Sequence, residues 1–135
     1  MSGSVPNHSE AAIVTKQSPR PVRDTVARLV EIISDKGLTL FAVIDQREEA
    51  RRVGLELRST TLVIFGSPVA GTPVMDAAPL AALDLPLKVV IWDNDGQTIV
   101  SYVAPDALAH RYDLRADLAS NLAGIDGLTD ALIAR

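Results

Sequence analysis

The chain has 135 residues, of which 47% are hydrophobic and 22% charged, with a net charge of −4 and no cysteine. That length and balance suit one soluble domain with a real core, and the acidic charge argues against a nucleic-acid partner, which needs a basic face to displace counterions. The lack of cysteine excludes disulfides, thiolate nucleophiles, iron–sulfur clusters and cysteine-ligated zinc.

Residues 1–10 are small and polar, so the reading is a disordered tail ahead of a single domain over 11–135. The start of the chain has no basic segment followed by an apolar one, and no signal peptide is read. No apolar run reaches the roughly 20 residues that span a bilayer. The expectation is a cytoplasmic protein with no membrane partner.

Residues 11–17 predict a first strand, stopped by Ser18-Pro19-Arg20-Pro21. Pro21 suits the first turn of a helix, where its missing N–H costs nothing. Val22, Val26, Leu29, Val30 and Ile33 follow at helical spacing. Gly37 closes that helix as a left-handed cap. Residues 38–44 predict the second strand. Asp45 and Glu48 then match a capping box, with Glu48 and Arg52 paired one turn apart. Gly54 ends this short helix, and residues 60–66 predict the third strand.

Next comes Phe65-Gly66-Ser67-Pro68-Val69-Ala70-Gly71-Thr72-Pro73. Its glycines are expected to make tight backbone turns, and a helix over roughly 72–83 is expected to start with Thr72 as cap and Pro73 in first position. Asp76 then falls in the first turns. Residues 87–93 and 97–103 predict a hairpin around Asn94, Asp95 and Gly96. Pro105 opens another helix. Leu114, Leu118, Leu122, Ile125, Leu128 and Leu132 keep helical spacing to the end, with Gly124 and Gly127 weakening that stretch into two pieces.

The order β-α-β-(short α)-β-α-β-β-α-α predicts an α+β fold, a mixed sheet of about five strands with helices packed on it. Strands three and four are apolar on both faces. One layer of helices covers one face, so the other needs the C-terminal helices or a second subunit. A homodimer is expected.

Few residues offer chemistry. His8 and His110 are the only histidines, and no metal-ligand spacing is present, so no metal and no cofactor are read. Ser67 sits where a nucleophile elbow would, but Phe65-Gly66-Ser67-Pro68-Val69 is not G-x-S-x-G, and Pro68 lacks the N–H an oxyanion would need. The 65–73 loop has no G-K-[ST] sequence, although free N–H groups at a helix start can hold an anion. Arg47, Arg51 and Arg52 alternate with acids and read as a solvated helix face.

Taken together, Gly37-Leu38, Ile44-Asp45, Val53-Gly54-Leu55, Leu62 to Pro68, Gly71-Thr72-Pro73, Leu83 to Lys88, Asp95-Gly96 and Ser101-Tyr102 with Pro105 resemble the domain-of-unknown-function family numbered 302. The resemblance covers about residues 21–116. It implies a compact α+β domain with no established activity. Members commonly have Asp-His at Asp45-Gln46 and Gly-Asn-Pro at Gly66-Ser67-Pro68, so any metal or acid–base role that depends on that histidine is missing here.

The function read from the chain is a small-molecule-binding or interaction module. Its candidate ligand site is Phe65, Gly66, Ser67, Pro68, Gly71, Thr72, Asp76 and Tyr102. The alternatives are an enzyme with Asp76 or Asp45 as base and Tyr102 as proton donor, and a purely structural or partner-binding protein.

Overall fold

A computed structural model describes residues 12–135, and the tail expected over residues 1–10 lies outside them. Five strands form one sheet: β1 (Ile13–Ser18), β2 (Thr39–Asp45), β3 (Thr60–Gly66), β4 (Leu87–Asn94) and β5 (Gln97–Val103). Among the described residues six α-helices accompany them: α1 (Val22–Asp35), α2 (Gln46–Arg52), α3 (Pro68–Ala77), α4 (Pro105–Arg111), α5 (Ala116–Ala119) and α6 (Gly124–Ile133). Short 3₁₀ turns cover Pro79–Leu83 and Ser120–Leu122. The architecture is α+β, with the elements in the expected order.

The strands lie in the order β1-β5-β4-β3-β2, and all four ladders are antiparallel. The expected parallel pairing does not occur. α1 joins β1 to β2, two strands that point the same way, but it carries the chain from one edge of the sheet to the other. Strands β2 to β5 then return as neighbours in sequence order.

Local chemistry explains the elements. Gly37, at φ +68°, ends α1: its N–H reaches Ser34 O, and Leu38 N–H reaches Ile33 O. Asp45 caps α2, its Oδ1 accepting from Glu48 N at 3.0 Å. The expected Glu48–Arg52 pair is replaced by Arg51–Glu48 and Arg52–Glu49, each three residues apart. Asp95 and Gly96 both take positive φ, the geometry of a tight two-residue hairpin, and Asp93 Oδ1 accepts from Gly96 N at 3.1 Å.

One face of the sheet carries the main core. Val63, Phe65, Val89, Ile91, Val100 and Tyr102 pack against Leu29 and Ile33 of α1 and against Ile125, Leu128 and Leu132 of α6. α6 therefore shares the face with α1. The buried stripe of α1 is Val22, Thr25, Leu29, Ile32 and Ile33, so Thr25 and Ile32 take places that periodicity gave to Val26 and Val30. Thr25 is satisfied there by Ser18 Oγ at 2.7 Å and Pro21 O at 2.9 Å. A second cluster, Val74, Ala81, Leu108, Leu118 and Leu122, joins α3, α4 and α5 beside the sheet. Neither cluster draws on the opposite sheet face, where Ile44, Leu62, Ile64, Val90 and Trp92 sit half-buried.

Candidate functional site

The loop after β3 is a helix start. Ser67 is extended, and its Oγ accepts from Ala70 N at 3.2 Å, while Pro68 takes the first helical position. The expected cap at Thr72 is therefore one turn too late. Thr72 is exposed within α3, and Pro73 lies inside the helix rather than at its start. Pro73 deprives the Val69 carbonyl of its helical donor, but Val69 is 87% exposed and water can donate to it there. Neither Gly66 nor Gly71 takes positive φ, so the tight glycine turns expected here are absent. Gly66 instead sits close to Pro86 and Phe41: a Cβ there would lie 3.6 Å from Pro86 Cβ and 4.0 Å from Phe41 Cε2.

This corner forms one wall of a cleft of about 720 Å³ at the end of the sheet where β3 stops and β2 and β4 begin. Phe65, Gly66, Ser67, Pro68, Gly71 and Thr72 all line it. The opposite wall comes from Asn121, Leu122, Gly124, Ile125 and Leu128, residues of the C-terminal stretch whose helical spacing gives no sign of a place in the site. Asn121 Nδ2 donates to Ala70 O at 3.0 Å and ties the two walls together. The floor is apolar, with Phe65 only 2% exposed. A bulge between Leu40 and Ala42 leaves Phe41 out of register and 51% exposed on the cleft. Lys36 also lines the cleft and makes no ion pair among the described residues.

The remaining candidate residues lie elsewhere. Asp76 is exposed on α3 and does not line the cleft. Asp45 is occupied as the cap of α2. Tyr102 is buried between β5 and α6, where its hydroxyl donates to Asp126 Oδ1 at 2.5 Å and accepts from Thr129 Oγ1 at 3.2 Å. Burial pushes that hydroxyl up in pKa and donation to Asp126 adds to the rise, against Thr129 and Lys16, which lower it. The aromatic ring also lies 5.5 Å from Lys16 Nζ. Lys16 reaches across from β1 to bind Thr129 Oγ1 at 2.7 Å, Asp130 Oδ1 at 2.7 Å and Asp126 O at 3.0 Å. Burial lowers the Lys16 amine, but its bonds to Asp130 and Tyr102 outweigh this and hold it above its ordinary value. Tyr102 thus belongs to a network that fastens β1 and β5 to α6, and the carboxylates proposed as bases do not meet it.

One further polar group borders the second core cluster. Asp84 accepts from Tyr112 Oη and from Arg111 at 3.0 Å. Burial works to raise its carboxyl, but donation from Tyr112 and Arg111, with the charges of Arg111 and Lys88, holds it below the usual range. His110 is exposed in the last turn of α4. Among the described residues no three His, Asp or Glu side chains gather as a metal site would require.

The sequence pattern of the domain of unknown function DUF302 matches residues 14–132. The chain belongs to the DUF302 family. A solved DUF302 protein from Bacillus stearothermophilus, described as an uncharacterized conserved protein, superimposes with a TM-score of 0.76 over 90% of this chain and 95% of its own. At 20% identity that likeness shows a shared fold. Curated relatives are 32% identical over 106 residues: the fluoride-specific ion channel FluC 1 of Brucella suis and FluC 2 of Brucella melitensis. The matched stretch is 78% of this chain but 42% and 39% of those proteins, so the chain spans about two fifths of their length. Among the described residues no helix of this DUF302 domain is long and apolar enough to cross a membrane.

Proposed function

We propose that this DUF302 domain is a small-molecule-binding module whose ligand is an anionic amphiphile. The cleft of about 720 Å³ carries the reading, with an apolar floor at Phe65 and Leu128 and an unpaired Lys36 on its lining. Apolar clefts with a few polar groups are where small molecules bind. A chain of several methylenes would gain from burial along Phe41, Phe65 and Leu85, and its carboxylate would be drawn to Lys36. Sodium decanoate is a suitable probe for calorimetric titration. Gly71→Leu supplies the contrast, because a Cβ at Gly71 meets nothing nearer than Met75 Cε at 3.9 Å and the larger side chain grows into the cleft. Binding by the native chain and loss of at least about tenfold in the variant support the reading. Equal affinities with unchanged folding would place the ligand elsewhere.

A second reading rests on the relatives named as fluoride channels. Where a stretch like this chain makes up about two fifths of such a protein, the DUF302 part would act as an accessory ligand-binding domain beside a channel. Fluoride titration followed by ¹⁵N NMR tests it. Shifts caused by sodium fluoride but not by sodium chloride at equal ionic strength favour this role, and identical spectra remove direct fluoride binding.

We propose also that the open sheet face pairs with a second copy. That face, through Leu62, Ile64, Val90, Trp92 and Ile99, has Lys88 as its single charge across the β2–β5 strands, and Lys88 Nζ already donates to Pro86 O at 3.2 Å. Self-pairing there avoids the like-charge repulsion expected of a chain with net charge −4. Light scattering should give twice 14.4 kDa, and Trp92→Glu should return the monomer mass. A native monomer at about 100 μM would refute it, given that 10⁻⁴ M spans the weak end of protein association.

A further inference from the structure

The opposite end of the sheet holds a second cleft of about 700 Å³ with a different character. It is bounded by the end of β1, the turn Pro19-Arg20-Pro21, the start of α1, the start of α2, residues Arg58 and Ser59 ahead of β3, and the β4–β5 hairpin. Four arginines line it: Arg20, Arg23, Arg47 and Arg58. Arg20 has structural work, donating to Leu132 O at 2.8 Å and Ala134 O at 2.9 Å. The guanidinium groups of Arg23, Arg47 and Arg58 make no ion pair or hydrogen bond among the described residues.

Arg28, Arg51, Arg52, Arg111 and Arg115 each have a carboxylate partner. Among the described residues, and apart from Arg135, the arginines left without a partner are the three in this cleft. The chain is acidic overall, so carboxylates are available, yet one acid lines the cleft. That acid, Asp93, already accepts from Gly96 N. Asp24, in the first turn of α1, is the nearest other acid along that helix and is exposed. Clustered like charges repel one another until an anion arrives, and a cleft lined by one sign of charge focuses the field they share. Guanidinium groups present paired N–H donors that match phosphate oxygens. The positive end of α1, whose cap Pro21 offers no side-chain acceptor, adds to the same field.

We infer that this cleft binds a phosphate-bearing small molecule with at least two negative charges, held by Arg23, Arg47 and Arg58. The site is separate from the apolar cleft and does not depend on the ligand proposed there. A small ligand fits better than a nucleic acid, because the basic groups are confined to one cleft on an acidic chain.

Inorganic pyrophosphate is the probe, titrated calorimetrically into the whole chain in about 50 mM salt, where screening is weak. The native chain should bind it. The double variant Arg47→Gln/Arg58→Gln should bind at least about tenfold more weakly. Arg28→Gln, which removes an arginine paired with Glu31 outside the cleft, should bind as the native chain does. Raising the salt to about 300 mM should weaken native binding severalfold. Thermal melting of each variant checks that it is folded. No heat of binding from the native chain at about 10 mM pyrophosphate overturns the proposal, since that lies beyond the weakest specific range. Equal binding by the double variant and the Arg28→Gln control overturns it too.

Discussion

The sheet ends in two clefts of nearly equal size, about 720 and 700 Å³, made in different ways. The apolar one is an extension of the core: Phe65, Ile125 and Leu128 belong both to its wall and to the main hydrophobic cluster. The arginine-lined one is assembled mainly from turns and helix starts, and none of its arginines takes part in either core cluster. A ligand in the first touches atoms that hold the fold together. A ligand held by Arg23, Arg47 and Arg58 in the second meets groups that take no part in either core cluster. Mutations at the two ends should therefore separate into those that change stability and those that change binding alone.

The largest effect is expected from Phe65→Ala. It empties a fully buried site and should cost about 3–5 kcal/mol in denaturant unfolding. A cost near zero would detach the apolar cleft from the core and erase the contrast. Ser67→Ala comes next. Loss of its bond to Ala70 N should cost about 1 kcal/mol, whereas Thr72→Ala, exposed inside α3, should stay within about 0.5 kcal/mol. The reverse order would move the start of α3 back to Thr72.

A third effect appears in acid. The folded pKa of Asp84 is depressed, so its stabilisation is complete above the ordinary carboxylate value of about 4 and is lost as pH falls through the lowered one. Tyr112→Phe removes a donor to the charged form. The acid-unfolding midpoint, followed by circular dichroism, should move to higher pH. An unmoved midpoint would mean that Arg111 and Lys88 hold Asp84 unaided. The smallest effect belongs to the other end: Arg47→Gln/Arg58→Gln should change unfolding stability by no more than about 0.5 kcal/mol without an added anion. A larger loss would make those arginines part of the scaffold.

Much of the fold was legible because its signals are local. The stop at Gly37, the cap at Asp45 and the hairpin at Asp95-Gly96 each depend on a few adjacent residues. Strand neighbours are a different matter. Periodicity marks residues 13–18 and 39–45 as strands, but nothing in it says that the connecting helix crosses the whole sheet. The start of α3 was missed because Ser67-Pro68 and Thr72-Pro73 carry the same local signal. The choice falls to the earlier pair, a start that leaves Val74 fully buried in the second cluster.

The two clefts show the same division. Phe65, Gly66, Ser67, Pro68, Gly71 and Thr72 are contiguous enough to be seen as one group in the sequence. Asn121 to Leu128 close the cleft from about fifty residues away, and only the packing of the Ser120–Leu122 turn and of α6 brings them there. Phe41 reaches it through a bulge that no spacing announces. Arg20, Arg23, Arg47 and Arg58 belong to no motif, and Arg47 lay hidden in a run read as a solvated helix face. Topology alone gathers them, since the end of β1 and the starts of α1, α2 and β3 meet at one end of the sheet.

The Lys16 network has a consequence for the order of folding. Strands β2 to β5 pair with sequence neighbours, so their contacts close short loops and can form early. β1 must instead find β5 across more than eighty residues, and Lys16 must find Asp130 across 114. Closing those loops is entropically the most demanding step, and it gains little until α6 has already settled on α1. β1 is therefore expected to dock late, as an edge strand paired with β5 and tied through its own Lys16 to α6, and pulsed hydrogen exchange during refolding should show its amides as the last in the sheet to become protected.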